Sequence, residues 1–172
     1  MSVNDRTRST MLDTGTVIHE VERLLATEIF SSAEATGPLF RAAYSWLVLA
    51  VHDLLAESDR RGLAVAVGAA VLDRTQPVEA GYLIGRARHV VVHRAGGARM
   101  RQGSKEADFA VKIGEASGYG DDIAVVSGGV ELLIRRHLVR AFEAARTVLT
   151  PDREPLDLGD YLTVTTDPGV GP

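Results

Sequence analysis

The sequence predicts a mainly α protein: an antiparallel helical bundle of four to five helices, with room for a short β-hairpin near residues 108–127. Three observations carry this. Apolar residues recur at helical spacing in "TGTVIHEVERLLATEIF" and in "GVELLIRRHLVRAFEAARTVL". The 21 residues "PLFRAAYSWLVLAVHDLLAES" contain no breaker, and Pro38, Gly96–Gly97 and Pro151 punctuate the chain where helices should start or stop. At 172 residues the chain suits one domain with a real core. That domain is expected at 14–150, between a flexible arm (1–13) that lacks periodicity and an extended tail (151–172) rich in Pro, Gly, Asp and Thr.

The first helix is expected over about 16–31. Val17, Ile18, Val21, Leu24, Leu25 and Ile29 form its apolar stripe, and Thr14 or Thr16 is available as N-cap. Ser31 and Glu34 have capping-box spacing, and Pro38 suits a first helical turn. Residues 38–58 follow as the longest helix, stopped by "DRRG". The stretch "LAVAVGAAVLDRTQP" is ambiguous between helix and strand, because its alternation and its alanines disagree, and Pro77 ends it either way. Residues 78–95 form the next helix, closed by the two glycines, although three consecutive valines lower its propensity. Two short apolar runs around a Gly-rich turn then suggest the hairpin, and 129–149 reads as a final amphipathic helix.

Charge and composition remove several classes of function. The net charge of −4 arises wholly in the tail, whose five acids face the single cation Arg153, so the body is balanced. Global charge therefore gives no sign of a nucleic-acid partner. The absence of cysteine excludes disulfides, thiol catalysis and Cys-based zinc sites. The polar start "MSVNDRTRST" and the lack of a long uncharged apolar run predict a soluble, cytoplasmic protein without a membrane partner. Arginine outnumbers lysine 17 to 2. Genome composition alone can produce that bias, so arginine content by itself is no argument for RNA binding.

One segment departs from the balance. "GRARHVVVHR" (85–94) sets His89 and His93 four residues apart among Arg86, Arg88 and Arg94. Between Ala80 and Lys105 there are six cations, including Arg99 and Arg101, and no carboxylate. Phosphodiester is the natural ligand class for such a place, since guanidinium forks phosphate oxygens and imidazole moves protons near neutral pH. On an ideal helix Arg86, His89 and His93 fall within roughly 60° of arc, while Arg88 lies on the other side. Arg88 would join them only if the helix began locally or a second surface reached around it. The plain alternative is an amphipathic helix with valines inside and arginines outside.

"RHVVVH" (Arg88–His93) resembles the signature of HEPN domains, an arginine followed after four to six residues by a histidine, frequently with a polar residue after the arginine. His89 fills that polar position, and Arg86 also satisfies the outer limit of the spacing. The resemblance extends to a helical bundle of this length with the motif on a later helix. It implies a metal-independent endoribonuclease, frequently a toxin in defence or toxin–antitoxin systems, with the site formed across a homodimer and an antitoxin protein as partner. It further implies that His93 transfers the proton, Arg88 stabilises the phosphorane and His89 orients the group or shares the phosphate. Arg86, Arg94, Arg99 and Arg101 would hold the RNA, with neither metal nor other cofactor. Some members carry a Tyr two residues after the motif histidine, which the antitoxin modifies; Ala95 stands there in this chain, which puts that form of neutralisation in doubt.

Other readings compete. His89 and His93 at i and i+4 have the spacing of a metal-binding pair, but no third ligand is obvious. "GEASGYGDD" lacks the Lys-Ser/Thr ending of a P-loop and reads as a turn. His19 and His52 fall within apolar helix patterns, His137 in "RRHLVR" suggests a solvated basic face, and Tyr44 and Trp46 read as core or interface aromatics. The functional alternative to the nuclease is a non-catalytic dimeric helical binding or scaffold module.

Overall fold

The structure, a computed structural model, describes residues 13–31, 33–35, 37–63, 80–95, 109–114, 118, 120, 122–127 and 129–152, with side chains as far as residue 92 in the segment 80–95. The expected arm, the ambiguous stretch from 64 to 79 and the acidic tail from 153 lie outside the described residues. Within them the chain is mainly helical. It contains α1 (Thr14–Leu25), α2 (Pro38–Arg60), α3 (Ala80–Ala95) and α4 (Arg140–Leu149), with strands β1 (Phe109–Lys112), β2 (Ala124–Ser127) and β3 (Val130–Leu133) between α3 and α4.

α1 starts one residue before the threonines the sequence offered as caps. Asp13 Oδ2 accepts from Gly15 N at 3.2 Å, and Asp is among the best residues for that task. The helix also stops earlier than expected, at Leu25. The Thr27 hydroxyl donates to Leu24 O at 2.6 Å, and a single 3-10 turn (Glu28–Phe30) redirects the chain so that Phe30 meets Phe40 edge-on at 5.8 Å. The Ser31–Glu34 spacing is not a helix start. Glu34 N donates to Ser31 O in a turn, and α2 begins later with Pro38 in its first turn and Gly37 as an N-cap without a side-chain bond.

α2 ends where "DRRG" predicts, for a visible reason. Gly62 adopts φ +74°, Gly62 N donates to Asp59 O, and Leu63 N donates to Ser58 O at 2.8 Å, which is the Schellman closure. By length and composition α2 is apolar enough to cross a membrane. Here Phe40, Tyr44, Leu47, Val48, Val51 and Leu54 are buried in the protein's own core. α3 and α4 both pack on α2. The core joins Ile18, Val21 and Leu25 of α1 to Ile84 and Ala87 of α3, Val125 and Leu132 of the strands, and Phe142 and Leu149 of α4.

The hairpin is present and is larger than expected. β1 and β2 pair antiparallel from Phe109↔Ser127 to Lys112↔Ala124, and β3 adds to β2 from Ser127↔Val130 to Ala124↔Leu133. "VELL", which the sequence assigned to the start of the last helix, is therefore strand. Gly129, just before β3, adopts φ +73°, a conformation open to glycine, and β3 returns along β2.

The helical segment that follows opens with a π-type turn (Ile134–Val139) before α4. The four amides from 133 to 136 all have partners. Leu133 N donates to His137 Nδ1 at 3.0 Å and Ile134 N to Ile123 O at 2.9 Å. Arg135 N and Arg136 N donate to the two carboxylate oxygens of Asp122 at 2.9 and 3.0 Å. Asp122 Oδ1 also accepts from Ile123 N at 2.8 Å. A cap that normally comes from the preceding residue comes here from across the sheet.

Burial raises the Asp122 carboxyl above its ordinary pKa, and the three donated amides partly offset that rise. An Asp whose folded-state pKa is raised contributes stability that is complete below its unfolded pKa and is lost as pH rises through the folded one. Asp122→Asn keeps one acceptor oxygen and turns an amide toward Arg136 N. It should cost about 1 kcal/mol, and Asp122→Ala about 2 kcal/mol. In urea melts the wild-type advantage over Asn should be larger in mild acid than at neutral pH.

Candidate functional site

The segment that carries "RHVVVH" is helical from Ala80 onward. Its three valines disfavour that geometry, and packing overrides them. Ala80, Ile84 and Ala87 are buried at helical spacing and Val90 is 9% exposed, while the helix lies on α2, on β3 and on the π-type turn. The residues with chemical capacity occupy what that buried stripe leaves over.

Arg86 and His89 are exposed together, as one helical face requires, and Arg86 Nη1 donates to the Tyr82 hydroxyl at 3.4 Å. His93 and Arg94 belong to the last turn of α3, but their side chains lie outside the described residues, as do Arg99 and Arg101 altogether. Arg88 does not share the exposed face. It is half-buried, and its Nε is shut off from solvent without a hydrogen-bond partner. Since α3 is already continuous eight residues before Arg88, a local helix start does not bring Arg88 round to the histidines. A second surface remains as the way to complete the set.

An arginine Nε–H buried without an acceptor costs free energy that folding does not recover. Such a group is either a local defect or a donor awaiting a ligand, and an arginine fork awaiting phosphate has this form. The turn that rests on α3 carries Arg135 and Arg136, which sequence reading assigned to the polar side of a distant helix.

The remaining histidines separate clearly. His19 is exposed 3.8 Å from Glu22, and His52 is part-exposed 3.4 Å from Asp53, so both lie at the solvent side of their helices. His137 is 1% exposed and accepts an amide, which corrects the solvated basic face expected of it. The signal missed was the strand before it, since a helix running from 129 would have placed it differently. Tyr44 is core, packed against Phe109 at 5.7 Å, and Trp46 is partly buried beside it in sequence. Among the described residues no three of His, Asp and Glu converge as metal ligands.

No protein-family profile, curated protein or solved structure matches the chain. The site therefore has to be argued from its own residues.

If the unpartnered Nε marks a functional arginine, Arg88→Met should keep the apolar contacts of the stem and remove the uncompensated donor. Its thermal midpoint should equal or exceed that of the wild type, by up to about 1 kcal/mol in unfolding free energy. A loss of more than that amount would instead show that Arg88 supports the fold.

Proposed function

We propose that the chain is a metal-independent endoribonuclease of HEPN type, acting as a homodimer in the cytoplasm. In this reading α1–α4 belong to an antiparallel helical bundle, and α3 is its catalytic helix. The observation that carries the proposal is Arg88, a half-buried arginine with an unpartnered Nε, five residues before a histidine on a helix without carboxylates. A toxin or defence role, with a protein antitoxin as partner, accompanies the same reading.

The chemistry uses the RNA's own nucleophile. The 2′-oxygen attacks the adjacent phosphorus, the bond from phosphorus to the 5′-oxygen breaks, and a 2′,3′-cyclic phosphate and a 5′-hydroxyl result. His93 takes the 2′-hydroxyl proton, and a protonated imidazole returns one to the departing 5′-oxygen. Arg88 stabilises the charge that gathers on the phosphorane, where a desolvated donor acts most strongly. His89 shares the phosphate, and Arg86, Arg94, Arg99 and Arg101 hold the flanking chain. Because one helix divides Arg88 from the histidines, the partner protomer supplies the complementary half of each site.

Purified protein should cleave RNA in EDTA and leave a cyclic phosphate end. His93→Ala and Arg88→Met should each lower the rate by about 100-fold or more, with circular dichroism unchanged. Activity that EDTA removes would favour metal bound by the two histidines. Protein inert on varied RNAs would leave the non-catalytic dimeric helical module. Light scattering should report a dimer at micromolar concentration, with residues 85–99 of both protomers lining one cleft, and a strict monomer would remove the composite site.

A further inference from the structure

The outward face of α3 holds more than the proposed chemistry uses. On an ideal helix Tyr82, Gly85, Arg86, His89 and Val92 share roughly 120° of arc, opposite Ala80, Ile84 and Ala87. Tyr82 is 59% exposed and Val92 38%, and Tyr82 is the one exposed aromatic among the described residues. Gly85 lies one turn from both Tyr82 and His89, and a Cβ built on it would meet nothing within 4 Å. The helix thus has an open notch beside an uncovered ring. Arg86 holds that ring by its hydroxyl, leaving the ring face uncommitted.

We infer that the notch at Gly85 is a stacking subsite for one unpaired base of a single-stranded RNA, with Tyr82 taking the face of the base and Arg86 the adjoining phosphate. An exposed aromatic ring beside a guanidinium is the combination that single-strand binders use, and it tolerates sequence because every base has a π-face. The occupant is argued from charge. α3 carries Arg86, Arg88 and Arg94 and no carboxylate, and the ten residues that follow it in sequence add three more cations, which suits a polyanion and leaves an acidic chain or nucleic acid as partner. Of these, nucleic acid sets a flat base beside every charge, whereas an acidic chain offers a ring only where its sequence happens to place one. A duplex keeps its bases inside the stack and cannot offer one, so the subsite selects single strands or loops.

The inference rests on the nuclease reading for its place in the reaction. Tyr82 precedes His89, on the same face, by seven residues, about 10 Å along the helix axis. The base it takes thus belongs to a nucleotide flanking the scissile phosphate, and the subsite sets where cleavage falls.

The test uses the full chain and a fluorescent 2′-O-methyl oligoribonucleotide, which has no free 2′-hydroxyl to react, beside a duplex of the same length. Gly85→Met fills the notch while raising helix propensity, so it should fold at least as well as the wild type. It should weaken single-strand binding by about 5- to 100-fold, as should Tyr82→Ala, with duplex binding changed by less than about twofold. Tyr82→Trp should retain binding, and its indole emission should be quenched by the oligonucleotide. Wild-type binding by Gly85→Met and Tyr82→Ala overturns the subsite, as does failure of the wild type to bind the single strand. Conversion of a dimer to a monomer by either variant also overturns it, since the face would then be a contact between protomers. Tyr82-dependent binding without cleavage of natural RNA would retain the subsite and remove the nuclease. Cleavage unaffected by Gly85→Met would do the reverse.

Discussion

Four amide hydrogens at the head of the last helical segment hold this structure in register. A helix beginning at residue 134 leaves its first amides without intrahelical acceptors, and a buried start cannot leave them to water. Here Asp122, Ile123 and the His137 ring receive all four from 133 to 136. Because Asp122 and Ile123 lead directly into β2, the same bonds that cap the helix fix it against the sheet. β3 and the π-type turn, now immobilised, form part of the wall on which α3 rests. The site helix is thus positioned by a carboxylate 27 residues beyond its last residue in sequence.

The other end of the last helix is tied by charge. Arg146 is almost wholly buried, donates from Nε to Glu22 of α1 at 2.9 Å, and lies 3.8 Å from Glu143. Burial raises the Glu143 carboxyl above its usual range, Arg146 draws it down, and Glu22 pushes it up. Buried ions are expensive to desolvate, so this cluster contributes more to the geometry between α1 and α4 than to net stability. It contrasts with the pairs on the surface, such as Lys112 with Glu131 at 2.7 Å, which bridge outer strands at little energetic gain. Among the described residues, the Tyr44 hydroxyl and Glu143 Oε1 are also buried without a hydrogen-bond partner. Arg88 differs from both in carrying a positive charge, and like Glu143 it is half-buried.

Periodicity found α1, an unbroken run after Pro38 found α2, and Pro77 with the Gly96–Gly97 pair bracketed α3, while the stop at "DRRG" was legible because Gly62 alone suits the closing φ. The boundaries were less so. Thr27 ends α1 through a hydroxyl bond to Leu24 O, which no spacing rule anticipates, and Asp13 outcompetes two nearby threonines for the cap. "VELL" was misread because Val130, Leu132 and Leu133 fit a helical stripe as well as a strand. The decisive signal was the Gly-Gly pair between "IAVVS" and "VELL", which is hairpin chemistry rather than a helix start. Within the site, the common face of Arg86 and His89 and the separation of Arg88 followed from 100° per residue alone. That Tyr82 would be the uncovered aromatic, and His137 a buried acceptor, depended on which faces found partners, and a single sequence does not hold that information.

The separation of Arg88 from the histidines bears on how such a site could work. A helix that placed all three on one exposed stripe would leave the arginine fully hydrated, and its field would be screened before substrate arrived. Setting Arg88 at the border of the buried stripe strips water from Nε and keeps the guanidinium apart from His89 until something bridges them. What bridges them must be polyanionic, or must bring its own copy of the same helix. In the reading proposed above, a symmetric dimer around a strand of RNA would meet both conditions, each protomer's arginine facing the other's histidines. On that reading, the energetic cost of one unsatisfied donor in the free chain would be the means by which the site is kept poised.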